Sequence, residues 1–136
     1  MKYYLDTNIC IYFLKGLYPE LLDKIMLYNP DDIKIASIVK AELLYGAEKS
    51  KKRDDNLEKV NKFLLPFEIV PFDNNAAEKY SAIRTELEKA GNIIGPNDLI
   101  ISATVLSQGG ILVTNNGKEF KRVPGLAVEE WVGSAI

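Results

Sequence analysis

The stretch Lys2-Tyr3-Tyr4-Leu5-Asp6-Thr7-Asn8, residues 2–8, predicts a short β-strand that ends on a carboxylate and turns directly into a helix. Tyr and Leu favour the strand, and Thr7 or Asn8 can cap a helix that begins near Ile9. In an open α/β sheet, side chains at the carboxyl ends of the strands project into the crevice where ligands bind. Asp6 is therefore either the first acid of a functional site or only a turn or capping residue. This stretch alone leaves both interpretations open.

The rest of the chain continues the alternation that this stretch begins. Further β-prone segments occur at 33–37, 67–72, 111–114 and 126–129, and most of them are separated by helical segments. This pattern predicts a single α/β domain with a mainly parallel sheet, joined by right-handed crossovers. We place the domain at residues 1–132 and a short C-terminal tail at 133–136.

The composition is that of an ordinary globular protein. The chain has 136 residues, of which 47% are hydrophobic and 26% charged, which fits one domain with a real core. No apolar run reaches the roughly 18 residues that would span a bilayer, and the N-terminus lacks a signal-peptide pattern. The single cysteine, Cys10, is typical of a core residue in a reducing compartment. We therefore expect a cytoplasmic protein without a membrane segment.

The chain contains no histidine. This excludes Ser-His-Asp and Cys-His catalysis and zinc sites that need histidine ligands. Reactive groups must come from carboxylates, Lys, Tyr, Ser or Thr. The net charge of −2 argues against a broadly electropositive nucleic-acid binder. Nucleic acid remains open as a substrate, because metal ions in an acidic site and a local basic patch can offset the average charge.

Four acids stand at element boundaries. Asp6 ends the first strand, Glu42 lies near the start of the helix after the second, Asp98 opens an apolar helix, and Glu119 lies in the loop after the fourth strand. Taken singly, Asp98 could serve only the helix dipole, and Glu42 and Glu119 could be solvated surface residues. In a parallel sheet, however, strand ends and the following helix starts face one edge, so distant acids can converge there.

Carboxylates without His or Cys neighbours suit a hard, oxygen-preferring ion, which indicates Mg²⁺ or Mn²⁺. Such an ion can orient a water, lower its pKa and stabilise charge on a phosphoryl oxygen. The four acids therefore favour metal-assisted hydrolysis of a phosphodiester.

A basic run follows the helix that carries Glu42. It could be a solvated helix end, or it could be a surface that contacts the phosphates of RNA. The run consists of Lys49, Lys51, Lys52 and Arg53.

Four short motifs, in this order, resemble those of the PIN-domain ribonucleases. They are Tyr4-Leu5-Asp6-Thr7-Asn8, Ala41-Glu42-Leu43, Ile94-Gly95-Pro96-Asn97-Asp98 and Leu112-Val113-Thr114-Asn115-Asn116. Among these enzymes the chain looks most like the VapC toxins of bacterial toxin–antitoxin pairs. The closing stretch Glu119-Phe120-Lys121-Arg122-Val123-Pro124-Gly125-Leu126, with Glu130-Trp131 after it, is similar to one VapC subgroup.

This resemblance implies a three-layer α/β/α sandwich around a mainly parallel sheet, and an Mg²⁺- or Mn²⁺-dependent endoribonuclease. It also implies an RNA substrate, for which transfer RNA is a frequent choice in the family. The implied partners are a VapB-type antitoxin that blocks the site and a second copy of the chain, with homodimers inside a larger complex.

The resemblance also assigns roles by position. Asp6 and Asp98 would be the main metal ligands, and Glu42 would help through the metal or its waters. Many PIN domains have an Asp where this chain has Asn116, and Glu119, three residues on, is the expected substitute. Supporting polar roles fall to four residues: Thr7 and Asn8 beside Asp6 or as helix caps, and Thr114 and Asn116 for orienting a water or a phosphate.

Two other functions are compatible with parts of this pattern. Asp6 at a strand end could accept a phosphoryl group, as in receiver or haloacid-dehalogenase-like domains. The second Asp that those domains have two residues on is Asn8 here, and Asn115 stands where they have Lys. The chain could also be a catalytically inactive PIN-like binding module.

Overall fold

The computed structural model describes residues 1–132, and the predicted tail at 133–136 lies outside the described residues. Its centre is a five-stranded sheet in which every pairing is parallel, in the order β3-β2-β1-β4-β5. The strands are β1 (Tyr3–Leu5), β2 (Ile33–Ala36), β3 (Glu68–Val70), β4 (Ile111–Val113) and β5 (Ala127–Glu129).

Helices fill the connections and flank the sheet. A 3-10 turn at Pro30–Asp32 precedes β2, and α5 and α6 pack closely against each other, as do α3 and α4. The α-helices are α1 (Thr7–Lys15), α2 (Pro19–Leu27), α3 (Ser37–Glu48), α4 (Arg53–Leu64), α5 (Asn74–Ala90), α6 (Pro96–Gln108) and α7 (Gly117–Phe120). Together the sheet and helices confirm the predicted α/β fold with its parallel sheet.

Strand β1 lies at the middle of the sheet, between β2 and β4. Tyr3 pairs with Ile33 on one side and with Ile111 on the other. Tyr4 and Leu5 are almost fully buried, as expected for a strand covered on both faces. The backbone N–H of Asp6 donates to the carbonyl of Val113 at 3.0 Å. The ladder thus fixes where the chain leaves the sheet and where Asp6 begins.

Three segments differ from the sequence-based prediction. Helix α1 begins at Thr7 instead of near Ile9, and its N-cap is Asp6 instead of Thr7 or Asn8, because the Asp6 carboxylate accepts the N–H of Ile9. Strand β3 covers Glu68–Val70 instead of 67–72, because Pro71 has no N–H to give to a ladder. The residues around Glu119, expected to form a loop, include the one-turn helix α7. Within residues 1–132 no helix combines the length and the apolar character needed to cross a membrane.

Candidate active site

Asp6 both caps a helix and forms part of the site. Its Oδ1 accepts the N–H of Ile9 at 2.9 Å, which caps α1, and its Oδ2 accepts the hydroxyl of Thr114. The residue is only 3% exposed. Burial raises its pKa to about 6 in spite of these hydrogen bonds, and the nearby charge of Glu42 adds to the rise. The structure therefore shows that Asp6 caps a helix and also places its carboxylate beside the other predicted acids, so a role in the site is compatible with the cap.

Thr114 links Asp6 to the loop after β4. Its side chain is fully buried. While its hydroxyl donates to Asp6, the same oxygen accepts the backbone N–H of Asn116 at 2.9 Å. The hydroxyl of Thr114 therefore orients the carboxylate of Asp6. The family resemblance implied instead that Thr114 would orient a water or a phosphate.

Glu42 reaches the site from α3 and is held at both oxygens. Its Oε1 accepts the hydroxyl of Thr7 at 2.5 Å, and its Oε2 accepts the side-chain amide of Asn97 at 2.9 Å. The side chain of Thr7 thus contacts Glu42, although the sequence placed it in support of Asp6. Asn8 does act on Asp6, through a hydrogen bond from its backbone N–H.

Asp98 lies in the first turn of α6, which begins at Pro96. Its carboxyl is half-buried and lies next to the carboxyl of Glu119. Burial and the repulsion of Glu119 raise the pKa of Asp98 to about 7, with smaller contributions from Asp6 and Glu42. All four predicted acids therefore lie near enough to influence one carboxyl electrostatically.

Glu119 is held by the two loops that border it. Its Oε1 accepts the backbone N–H of Gly95 at 3.0 Å, and its Oε2 accepts the side-chain amide of Asn116 at 2.6 Å. Asn116 is therefore next to the fourth acid and orients it. The structure brings both residues into the site, with Glu119 as the carboxylate.

The donors around the four acids are all neutral. None of the ion pairs formed within residues 1–132 involves Asp6, Glu42, Asp98 or Glu119. As the side chains stand, no three acids of that range are close enough together to hold a metal ion. The donor chemistry still fits a hard cation, because the ligands are all oxygen and their repulsion has no other cation to offset it.

The basic run begins where α3 ends, beyond the turns that carry Glu42. Arg53 is paired with Glu48 at 2.6 Å and with Asp54 at 2.9 Å, and the ammonium of Lys49 lies 4.8 Å from the ring centre of Tyr45. Lys51 and Lys52 are exposed. The structure does not bring this run into contact with the four acids.

Two cavities lie along α1 and α4, and one of them reaches Glu42. The first, of about 550 Å³, lies along α3 and is lined by Glu42, Leu43 and Gly46. The second, of about 630 Å³, is mostly apolar and shares Leu14 and Lys59 with the first. Both cavities have walls formed by α1 and α4, and the two together are called the groove between α1 and α4 below.

Sequence reasoning did not assign a role to Asn97 or Gly95. Asn97 binds Glu42 across 55 positions of the chain, and Gly95 supports Glu119 through its backbone. The only signal for Asn97 was its place directly before Asp98. The backbone N–H of Gly95 could not be identified from the sequence, because almost every residue type has such a donor.

The chain is similar to known proteins over most of its length. The PIN domain family model covers residues 3–126. Ribonuclease VapC2 of Rickettsia felis is 45% identical over 132 residues, which cover 96% of this chain and 98% of that protein. The tRNA(fMet)-specific endonuclease VapC of Salmonella typhimurium is 40% identical over 131 residues, with 96% and 98% coverage.

Solved structures show the same relationship. The fold superposes on VapBC2 of Rickettsia felis bound to a DNA fragment from its promoter, with a TM-score of 0.91 and 44% identity over 96% of this chain and 99% of that one. For DNA-bound VapBC of Salmonella typhimurium the TM-score is 0.92 and the identity 39%, over 96% of this chain and 98% of that one.

Proposed function

Because the chain belongs to the PIN domain family and, within it, to the VapC ribonucleases, we propose that it is a metal-dependent endoribonuclease and the toxin of a toxin–antitoxin pair. The observation that carries this proposal is the convergence of four carboxylates from four separate segments at one edge of the sheet, surrounded by neutral donors. Such an arrangement repels itself without a cation and suits phosphodiester hydrolysis.

Asp6 and Asp98 are the proposed ligands of Mg²⁺ or Mn²⁺, with Glu42 and Glu119 beside them. The bound ion would lower the pKa of a water and stabilise charge on a phosphoryl oxygen. The protein's own part is to fix the carboxylates: Thr114 orients Asp6, and Asn116 with Gly95 orients Glu119. Burial of Asp6 favours binding of a cation, because the isolated charge is unfavourable there.

The test of catalysis compares wild type with Asp98→Asn on RNA in the presence of Mg²⁺ or Mn²⁺. We expect cleavage by wild type, loss of cleavage with a chelator, recovery on adding either ion, and a loss of at least 100-fold in Asp98→Asn. The exposed Asp55→Asn, in α4, is the matched control and should cleave normally. Equal activity of wild type and Asp98→Asn would contradict the proposal.

We propose transfer RNA as the first substrate to test, since the similar protein of Salmonella typhimurium is named as a tRNA(fMet)-specific endonuclease. A mixture of purified transfer RNAs and ribosomal RNA, analysed by mapping the new 5′ ends, distinguishes one specific cut from general degradation. The cytoplasm, where these RNAs occur, is the proposed site of action.

The proposed partner is a VapB-type antitoxin, and the groove between α1 and α4 is the proposed place where it docks. The groove begins at Glu42, so a bound segment would lie next to the acids. Its walls are apolar, and Lys15, Lys59 and Lys62 contribute positive charge, which would suit an apolar segment that also carries acidic residues. A homodimer of the toxin inside this complex is a further part of the proposal.

Gly46 provides a test of the docking site. A Cβ atom added at Gly46 would meet no atom within 4 Å, and the position is exposed, so Gly46→Glu should fold while placing bulk and negative charge in the groove. We expect at least tenfold weaker binding to the product of the neighbouring reading frame, measured by calorimetry with purified proteins. Ala41→Glu, an exposed position on the same helix, is the control. Unchanged binding by Gly46→Glu would place the antitoxin elsewhere.

A further inference from the structure

Glu42 is held by the chain neighbours of the two proposed metal-binding aspartates. Thr7, which donates to one oxygen, directly follows Asp6, and Asn97, which donates to the other, directly precedes Asp98. The position of the Glu42 carboxylate is therefore set from both sides of the site. No other side chain in the described residues 1–132 is recorded as a hydrogen-bond donor to Glu42.

We propose that Asn97 is a positioning residue of the active site, which acts with Thr7 by holding the Glu42 carboxylate between Asp6 and Asp98. The inference rests on the proposed function and adds to it residues that do not touch the reacting atoms. Neither the sequence motifs nor the family resemblance gave Asn97 a role.

The neutrality of both donors is central to this role. A Lys or Arg at either position would hold Glu42 equally well but would cancel its charge. A hydroxyl and an amide fix the same carboxylate and leave its full negative charge available to a cation.

Glu42 also needs such support more than the other acids do. Asp6 is buried and caps a helix, and Glu119 accepts a backbone N–H. Glu42 projects from α3 on a longer side chain and has only side-chain donors. Without Asn97 its outer oxygen would face solvent, and the carboxylate could rotate away from the site.

The test is a double-mutant cycle between Asn97→Ala and Glu42→Ala, in which both kcat and the affinity for Mn²⁺ are measured. In the wild-type background we expect Asn97→Ala to lower kcat about three- to tenfold with KM unchanged, and to weaken Mn²⁺ binding in calorimetry by a similar factor. In the Glu42→Ala background the same substitution should change either quantity by less than twofold, because the group through which it acts is gone.

Conservative variants separate positioning from general stability. Asn97→Asp keeps the size but places a second carboxylate 2.9 Å from Glu42, so it should lose more activity than Asn97→Ala. Thr7→Ser keeps the hydroxyl and should retain activity, whereas Thr7→Val should lose it. Asn92→Ala, an exposed asparagine before Ile93, is the matched control and should match wild type in every measurement.

The outcomes are distinct for the inference and for the proposed function. Fully additive effects of Asn97→Ala and Glu42→Ala, or an effect on KM alone, would overturn the positioning role. If wild type cleaves no RNA with either ion, the proposed function fails, yet the Mn²⁺ cycle still decides whether Asn97 acts through Glu42. A drop in melting temperature of more than about 5 °C in Asn97→Ala, with Mn²⁺ affinity unchanged, would show a structural role and also overturn it.

Discussion

The pKa values of Asp6 and Asp98 differ in how much of their rise is due to burial alone. Asp6 is almost fully buried, with its pKa raised to about 6 from an ordinary 3.8, while Asp98 is half-buried and owes part of its rise to Glu119. Both carboxyls therefore oppose their own ionisation in the absence of a cation. At the scale of single residues, ionisation of these two buried or half-buried carboxyls lowers the stability of the metal-free protein.

Asp98→Asn should raise the stability of the metal-free protein at pH 8. The folded state disfavours ionised Asp98, and the amide removes that charge while keeping the size. Allowing for solvent screening of a half-buried group, we expect a gain of about 1 kcal/mol, or roughly 3 to 5 °C in melting temperature. Thermal unfolding in the presence of a chelator measures it, with Asp55→Asn as the exposed control. A lower melting temperature would contradict the prediction.

Thr114→Val should destabilise the fold. The substitution keeps the shape but removes the one side chain among residues 1–132 that donates to a buried carboxylate oxygen of Asp6, which costs about 1–3 kcal/mol. Thr104→Val is a matched control, because this equally buried hydroxyl bonds only a carbonyl of its own helix. Urea unfolding should show a clearly larger loss for Thr114→Val than for Thr104→Val, and Thr114→Ser should retain most of the stability.

At the scale of elements, the sequence predicted the architecture well. Asp6 at the end of β1 and Asp98 at the start of α6 could both be located, because strand ends and helix caps have recognisable residue types. The hydrogen bonds that hold the site acids in place could not be predicted. Thr7 was assigned to Asp6 by adjacency along the chain, whereas the packing of α1 against α3 brings its hydroxyl to Glu42. Contacts between distant elements depend on side-chain geometry, which periodicity does not encode.

The basic run at the end of α3 gives a prediction at the same scale. Lys49, Lys51 and Lys52 have no acidic partner among the ion pairs of the described residues, whereas Arg53 is paired with Glu48 and Asp54. If the run contacts RNA, reversing Lys51 and Lys52 to Glu should weaken RNA binding about tenfold and reduce its salt dependence. Arg53→Glu should have a smaller effect, since its charge is already offset. The binding assay uses the inactive Asp98→Asn protein so that the RNA stays intact, and an unchanged salt slope would contradict this role.

At the scale of the whole molecule, the raised pKa values predict an unusual dependence of stability on pH. Between pH 3.8 and about 7 the folded state holds protons on Asp6 and Asp98 that the unfolded chain has lost. The free energy of unfolding of the metal-free protein should therefore fall as the pH rises through this range. We expect a loss on the order of 2 kcal/mol between pH 5 and pH 8.

Adding Mn²⁺ should reverse this trend. A cation stabilises the ionised carboxylates of the folded state, so the increase in melting temperature should be larger at pH 8 than at pH 5. Asp98→Asn should show a flatter pH dependence and a smaller response to Mn²⁺. Equal responses at both pH values would indicate that the ion does not bind at these acids.

The hydrogen bond between Thr114 and Asp6 joins residues that are 108 positions apart, and it has a consequence for biosynthesis. At a synthesis rate of about 5–20 residues per second, Thr114 follows Asp6 by roughly 5 to 20 s. Until then β1 lacks the complete β4 beside it, and neither Glu119 nor Asn116, which donates to Glu119, has been synthesised. In a nascent chain the candidate site therefore stays incomplete until residues 114–119 have been synthesised, long after Asp6.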